Sequence, residues 1–175
     1  MKGDKKVMTR SELLEMGFLG FIKLRDIVNN YDIIPDYQGL YIVCLYDKID
    51  ISFCNPGTGG FFKGKDPNVS IEELNRKWIE GASVLYIGKA GGTAENGRIY
   101  KSTLRKRIKE FMRFGNGENI GHWGGRFIWQ INEKDDLIIA YKVLHDENPV
   151  IIEKELINIF KSKYNGRLPF ANLNN

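Results

Sequence analysis

Gly39–Tyr46 (GLYIVCLY) is an unbroken run of apolar, β-branched and aromatic residues, the pattern of a buried strand. Val84–Gly88 (VLYIG) and Leu137–Leu144 (LIIAYKVL) repeat that pattern and predict two more strands. Elsewhere the apolar positions recur at helical spacing. Ser102 or Thr103 can cap a helix over 103–114, which Gly115 and Gly117 end. Asn148-Pro149 is a cap followed by a proline in the first turn, and it opens a helix to about Lys163. Ser70-Ile-Glu-Glu73 has capping-box spacing and predicts a helix over 71–80. Ser11 is placed to cap a short helix over Glu12–Met16, which Gly17 and Gly20 prevent from continuing. The glycine-rich Asn55–Gly64 and the glycines between 88 and 97 read as loops, as does the tail from Gly166. The stretch 124–131 (GGRFIWQI) is open between helix and strand. Few strands interleaved with helices predict a small α+β domain.

Two charges fall where a helix should be apolar. With Leu104 as zero and about 100° per residue, Ile108, Phe111, Met112 and Phe114 form one arc, and Arg107 falls between Phe111 and Phe114. Lys106, Lys109 and Arg113 lie on the opposite side. In the 149–163 helix, Glu153 falls inside an arc of Ile152, Leu156, Ile157, Ile159 and Phe160. A guanidinium and a carboxylate in such company are costly unless something pairs with them. Either Arg107 and Glu153 form a structural salt bridge, or both reach past the core edge into one cleft, where the acid would bind a cation and the arginine a phosphate.

Charge sharpens this. The formal net charge is +4 over 175 residues. Residues 98–113 (RIYKSTLRKRIKEFMR) carry seven basic side chains against one acid, Glu110, so the remainder is slightly acidic. A concentrated basic patch on a near-neutral body fits a polyanionic partner, with a solvated helix face as the plain alternative. The apolar runs are too short for a membrane-spanning helix, and no signal-peptide core follows the basic Met1–Lys6. Two cysteines, Cys44 and Cys54, allow neither a disulfide framework nor a four-cysteine zinc site, and Cys44 sits in an apolar strand as core. A cytoplasmic location fits, with no membrane partner.

The sequence holds no phosphate-binding P-loop, no dinucleotide fingerprint, no zinc-protease helix and no nucleophile elbow. What remains is a glutamate, an arginine and the strand-end tyrosines Tyr41 and Tyr86. Such a set supports metal-assisted phosphodiester hydrolysis. One Glu holds a hard cation such as Mg²⁺ or Mn²⁺, arginine neutralises charge on the phosphate, and a phenol positions or deprotonates water.

Gly39-Leu40-Tyr41 followed by Tyr86-Ile87-Gly88 resembles the paired motif of the GIY-YIG endonucleases. Tyr86-Ile87-Gly88-Lys89 with Leu104-Arg105-Lys106-Arg107-Ile108, then Ile151-Ile152-Glu153 with Leu156-Ile157, then Pro169-Phe170-Ala171-Asn172, follow in that family's order. The resemblance covers about residues 38–173 and fits a restriction-type or stand-alone bacterial or phage member. It implies a three-stranded antiparallel sheet flanked by helices. In that arrangement Tyr41 and Tyr86 lie beside the cleft, Arg107 sits on the scissile phosphate and Glu153 on the metal. Lys89 is then a supporting cation and Asn172 a polar clamp, with Asn165 competing for the clamp role.

The chain departs from the pattern in reading Gly-Leu for Gly-Ile, in the 45-residue spacing of the two tyrosines, and in Phe111, where many members have His or Tyr. Residues 1–37 are then an N-terminal extension packed on a 38–175 nuclease-like domain, with an insertion at about 47–83 between the first two strands. Arg98, Lys101, Arg105, Lys106, Lys109, Arg113 and Arg126 are candidates to bind nucleic acid. His122-Trp123-Gly124-Gly125-Arg126 reads either as a groove contact or as a packed turn anchored by Trp123. The expectation is a metal-dependent DNA endonuclease, with RNA and a homodimer left open. The alternative is a non-catalytic nucleic-acid-binding module of the same fold.

Overall fold

The computed structural model describes residues 8–173, so the basic Met1–Lys6 stretch lies outside the described residues. The chain is α+β. Four antiparallel strands form the central sheet: β1 (Leu19–Lys23), β2 (Gly39–Cys44), β3 (Val84–Ala90) and, last in sequence, β6 (Ile138–Val143). Their spatial order is β1-β6-β2-β3. A two-residue pair, β4 (Gly92–Thr93) and β5 (Ile99–Tyr100), forms a small ribbon inside the glycine-rich loop after β3.

Helix α1 (Arg10–Glu15) precedes β1, and α2 (Leu24–Ile27) follows it. Helices α3 (Ile71–Lys77), α4 (Leu104–Gly115) and α5 (Pro149–Lys163) lie where the patterning predicts them. Thr103 caps α4 by accepting from the Lys106 amide, and Asn148 caps α5 by accepting from Val150. In α1 the cap is Thr9, not Ser11. Thr9 and Glu12 make a reciprocal capping box, which Ser11 with Leu14 three residues on cannot do.

The sheet has one strand more than expected. β1, inside the N-terminal extension, pairs with β6 at the border opposite β3. Its irregular register between Leu19 and Ile22 comes with Gly20 and Phe21 in the left-handed region, which destroys the alternation that would mark a strand in sequence. The 124–131 stretch is neither regular helix nor strand. Trp123–Gln130 winds as consecutive 3₁₀ turns with a kink at Gly125.

Alternation along β2 sorts the core into two layers. Tyr41 and Val43 face α4 with Ile108, Phe111 and Phe114. Leu40, Ile42 and Cys44 face α5 with Leu156, Ile157 and Phe160. Ile159, which the helical arc places with these, is exposed instead. Burial pushes the Cys44 thiol up to about 12, as expected for a core cysteine.

The 47–83 segment is tied down. Gln130, itself buried, accepts from the Val69 amide and donates to the Val69 and Cys54 carbonyls. The Gly60 amide donates to Phe114 O at the end of α4. Among the described residues, no helix is long and apolar enough to cross a membrane.

Candidate functional site

β3 is a border strand, so groups from the two faces of the sheet can meet along its outer side without crossing it. Arg107 projects from α4 on one face and Glu153 from α5 on the other. They do not pair with each other. Arg107 Nη1 lies 2.6 Å from Glu110 Oε2, and Lys89 Nζ lies 2.5 Å from Glu153 Oε2. Lys89 sits opposite Leu40 in the β-ladder, which aims it toward α5. The side chains of Arg107 and Glu153 stay 27% and 16% exposed, so neither is sealed in the core.

Glu153 and Lys89 line a cavity of about 340 Å³ with Tyr86, Trp123, Gly124 and Asn172. Lys89 also lines a neighbouring cavity of about 490 Å³, with Arg107, Glu110, Arg98, Lys101 and Lys106. The two cavities therefore adjoin at Lys89, with Arg107 on one side of it and Glu153 on the other. Burial holds the Glu153 carboxyl above its ordinary pKa, although Lys89 and Arg107 pull it the other way.

The two phenols occupy different depths. Tyr86 forms part of the cavity wall, whereas Tyr41 is fully buried behind it. Tyr41 faces Gly88 across the ladder, and a Cβ on Gly88 would come within 2.6 Å of the Tyr41 ring. The glycine of Tyr86-Ile87-Gly88 thus makes room for the tyrosine of Gly39-Leu40-Tyr41. Burial raises the pKa of both phenols, and Tyr41 raises that of Tyr86 further.

Behind them sits His122, from the segment that the sequence reads either as a groove contact or as a packed turn. His122 Nε2 is 2.7 Å from the Tyr41 hydroxyl. Its ring packs on Phe111 with centroids 5.0 Å apart and on Tyr86 at 6.1 Å. Burial, reinforced by the Arg107 charge, keeps its pKa well below 6.5, so the imidazole is neutral. Its Nδ1 is buried with no hydrogen-bond partner. An imidazole therefore packs against Phe111 from the loop after α4. A lone histidine fifteen residues after Arg107 was the available signal.

Asn172 closes the border strand. Its side chain accepts from the Ile87 amide and donates to the Ile87 carbonyl, both at 2.9 Å, as a neighbouring strand would. Asn165 is exposed and sits in the left-handed region at the end of α5, away from β3.

The basic candidates divide. Arg98, Lys101 and Lys106 line the cleft with Arg107. Arg105 is bonded to the Ile34 carbonyl, Arg113 is paired with Glu118, and Lys109 lies over the Tyr31 ring at 5.6 Å. Arg126 is stacked between Trp123 and Phe127, with ring distances of 4.5 and 4.6 Å.

Among the described residues, no group of three or more His, Cys, Asp or Glu side chains is arranged to hold a metal ion. Glu153 alone still fits a hard cation that keeps most of its waters. It presents a carboxylate to an open cavity, and Lys89 occupies only its Oε2. Comparison with family models, curated proteins and solved structures finds no match.

Proposed function

We propose that this chain is a metal-dependent DNA endonuclease of GIY-YIG type. The observation that carries the reading is the meeting of Arg107 and Glu153, from helices on opposite faces of the sheet, at one open border beside Tyr86 and Lys89. Arg107 lies in the Lys89-lined cleft and would hold the non-bridging oxygens of the scissile phosphate, exchanging Glu110 for a bidentate anion. Tyr86 is neutral at ordinary pH and would orient the attacking water by hydrogen bonding, with Tyr41 and His122 fixing its position from behind. Glu153 would hold Mg²⁺ or Mn²⁺ with waters and a phosphate oxygen. The bound cation would supply charge neutralisation and a more acidic water. Lys89 would neutralise the leaving oxygen or the phosphate once its contact with Glu153 is shared.

One observation favours the non-catalytic reading. Both charged groups already have internal partners, Glu110 for Arg107 and Lys89 for Glu153. A binding module needs no rearrangement of either pair. Nicking of supercoiled plasmid with Mg²⁺ separates the two. The nuclease reading expects metal-dependent nicking lost by at least ~100-fold in Glu153→Ala. Activity that survives this substitution would overturn the Glu153 centre, and salt-sensitive binding without any cleavage would leave only the binding module.

A further inference from the structure

We propose that the nucleic acid is held on both sides of the cleft, with a second cationic arm built from the end of α3 and the loop after α5. Resting on the nuclease reading above, this deepens it by giving the strand its path. Asn172 lines the Glu153 cavity and also the next one, where Arg76, Lys77 and Arg167 gather. Three adjoining depressions therefore run past the candidate centre: α4 cations at one end, the Glu153 carboxylate in the middle, and this second group at the other end.

The second arm is built rather than incidental. The Arg167 guanidinium donates to the Arg76 and Trp78 carbonyls at 2.8 and 3.1 Å, which joins the tail to α3. Among the described residues, none of Arg76, Lys77 and Arg167 has a carboxylate partner within ion-pair distance, unlike Arg113 or Lys154. A row of cations and rings links the arm to the centre. Lys77 lies over Phe127 at 5.4 Å, and Arg126 stacks on Phe127 and on Trp123, which walls the Glu153 cavity. Arg126 Nε and Nη1 are buried without a hydrogen-bond partner. Phe127 is buried, so these rings hold the cations in place and it is the charges of Arg76, Lys77 and Arg167 that suit the phosphate backbone of a duplex.

The chemistry recognised is a continuous polynucleotide, here DNA duplex, that extends beyond the scissile phosphate in both directions. A track open at both ends accepts an internal bond, whereas an exonuclease site ends at a wall. The insertion thereby acquires a role as half of the DNA-binding surface.

The test measures binding of a short fluorescent DNA duplex by full-length Glu153→Gln, with and without Arg76→Ala/Lys77→Ala/Arg167→Ala, across a salt series. The expected result is at least a tenfold loss of affinity and a salt slope smaller by roughly 0.9 for each phosphate contact removed. A hydroxyl-radical footprint should shorten on one side of the centre only. Because Arg167 also holds the tail, Arg76→Ala/Lys77→Ala alone should give the same one-sided footprint with an intact unfolding transition. Unchanged slope and footprint would overturn the second arm even if plasmid nicking depends on Glu153. A changed slope with nicking indifferent to Glu153 would keep the arm and sink the nuclease reading. Tighter binding of an RNA duplex through the same residues would overturn the assignment to DNA.

Discussion

The Tyr41 hydroxyl and His122 Nε2 form a 2.7 Å hydrogen bond that is fully enclosed by the α4-side core. Both side chains are buried, and the Tyr41 hydroxyl also has Tyr86 and Arg107 as neighbours. Tyr41→Phe should therefore cost about 1–3 kcal/mol, because it strands the imidazole. His122→Phe should cost less, because Tyr86 and Arg107 remain beside the Tyr41 hydroxyl. The double variant should cost clearly less than the two together, since neither polar group is then left alone. Urea unfolding of the four proteins measures the coupling, and strict additivity would contradict the bond.

The same imidazole makes stability depend on pH. Folded His122 titrates well below 6.5, because burial and the Arg107 charge disfavour its protonated form. Below about pH 6.5 the unfolded chain takes up a proton that the folded one refuses. Stability is thus full above that pH and falls as pH drops toward the folded value, by up to ~1.4 kcal/mol per unit from this group. In His122→Gln that component of the slope should vanish between about pH 7 and pH 5.5. Equal slopes in the two proteins would show that the folded histidine takes up its proton as readily as the unfolded one.

Glu153 sets an acid limit on cleavage. Its carboxyl titrates above the ordinary glutamate range because burial outweighs Lys89 and Arg107. Only the ionised form holds a cation, so at sub-saturating metal the rate should decline as pH falls through a value above the ordinary glutamate range, and more metal should move that limb to lower pH. A pH–rate profile with its acid limb at or below that range would contradict this.

Asn172→Ala should destabilise by about 2 kcal/mol or more, because it leaves the Ile87 amide and carbonyl without partners on a buried border strand. Asn165→Gly, at an exposed left-handed position, should be close to neutral. Thermal unfolding of the two variants decides which asparagine belongs to the site.

Gly88→Ala places a methyl within 2.6 Å of the Tyr41 ring, with the ring held by His122 on its far side. The expected cost is about 1–3 kcal/mol from forced repacking, together with displacement of both phenols. A variant with unchanged stability and near-ultraviolet dichroism would mean that the ring can yield.

The regular elements were legible because their signals are local. Thr103 and Asn148 cap the two long helices, and the apolar runs at 39–46 and 137–144 become β2 and β6. Arg107 and Glu153 were legible for the same reason, since a charge in an apolar arc can be seen on a helical wheel. β1 was hidden because Gly20 and Phe21 break its alternation. His122 was hidden because its meaning comes from packing against Phe111 and Tyr41, neither of which is near it in sequence. The different partners of Arg107 and Glu153 were hidden too, since Lys89 reaches Glu153 only after β3 and α5 come together.

Gln130 joins the 47–83 segment to the 3₁₀ turns through two loop positions, Cys54 and Val69, and those turns pack against α4. The seat of the loop that leads into α3 is therefore set from inside the molecule. A change at this one amide would loosen that loop without touching a single charged side chain.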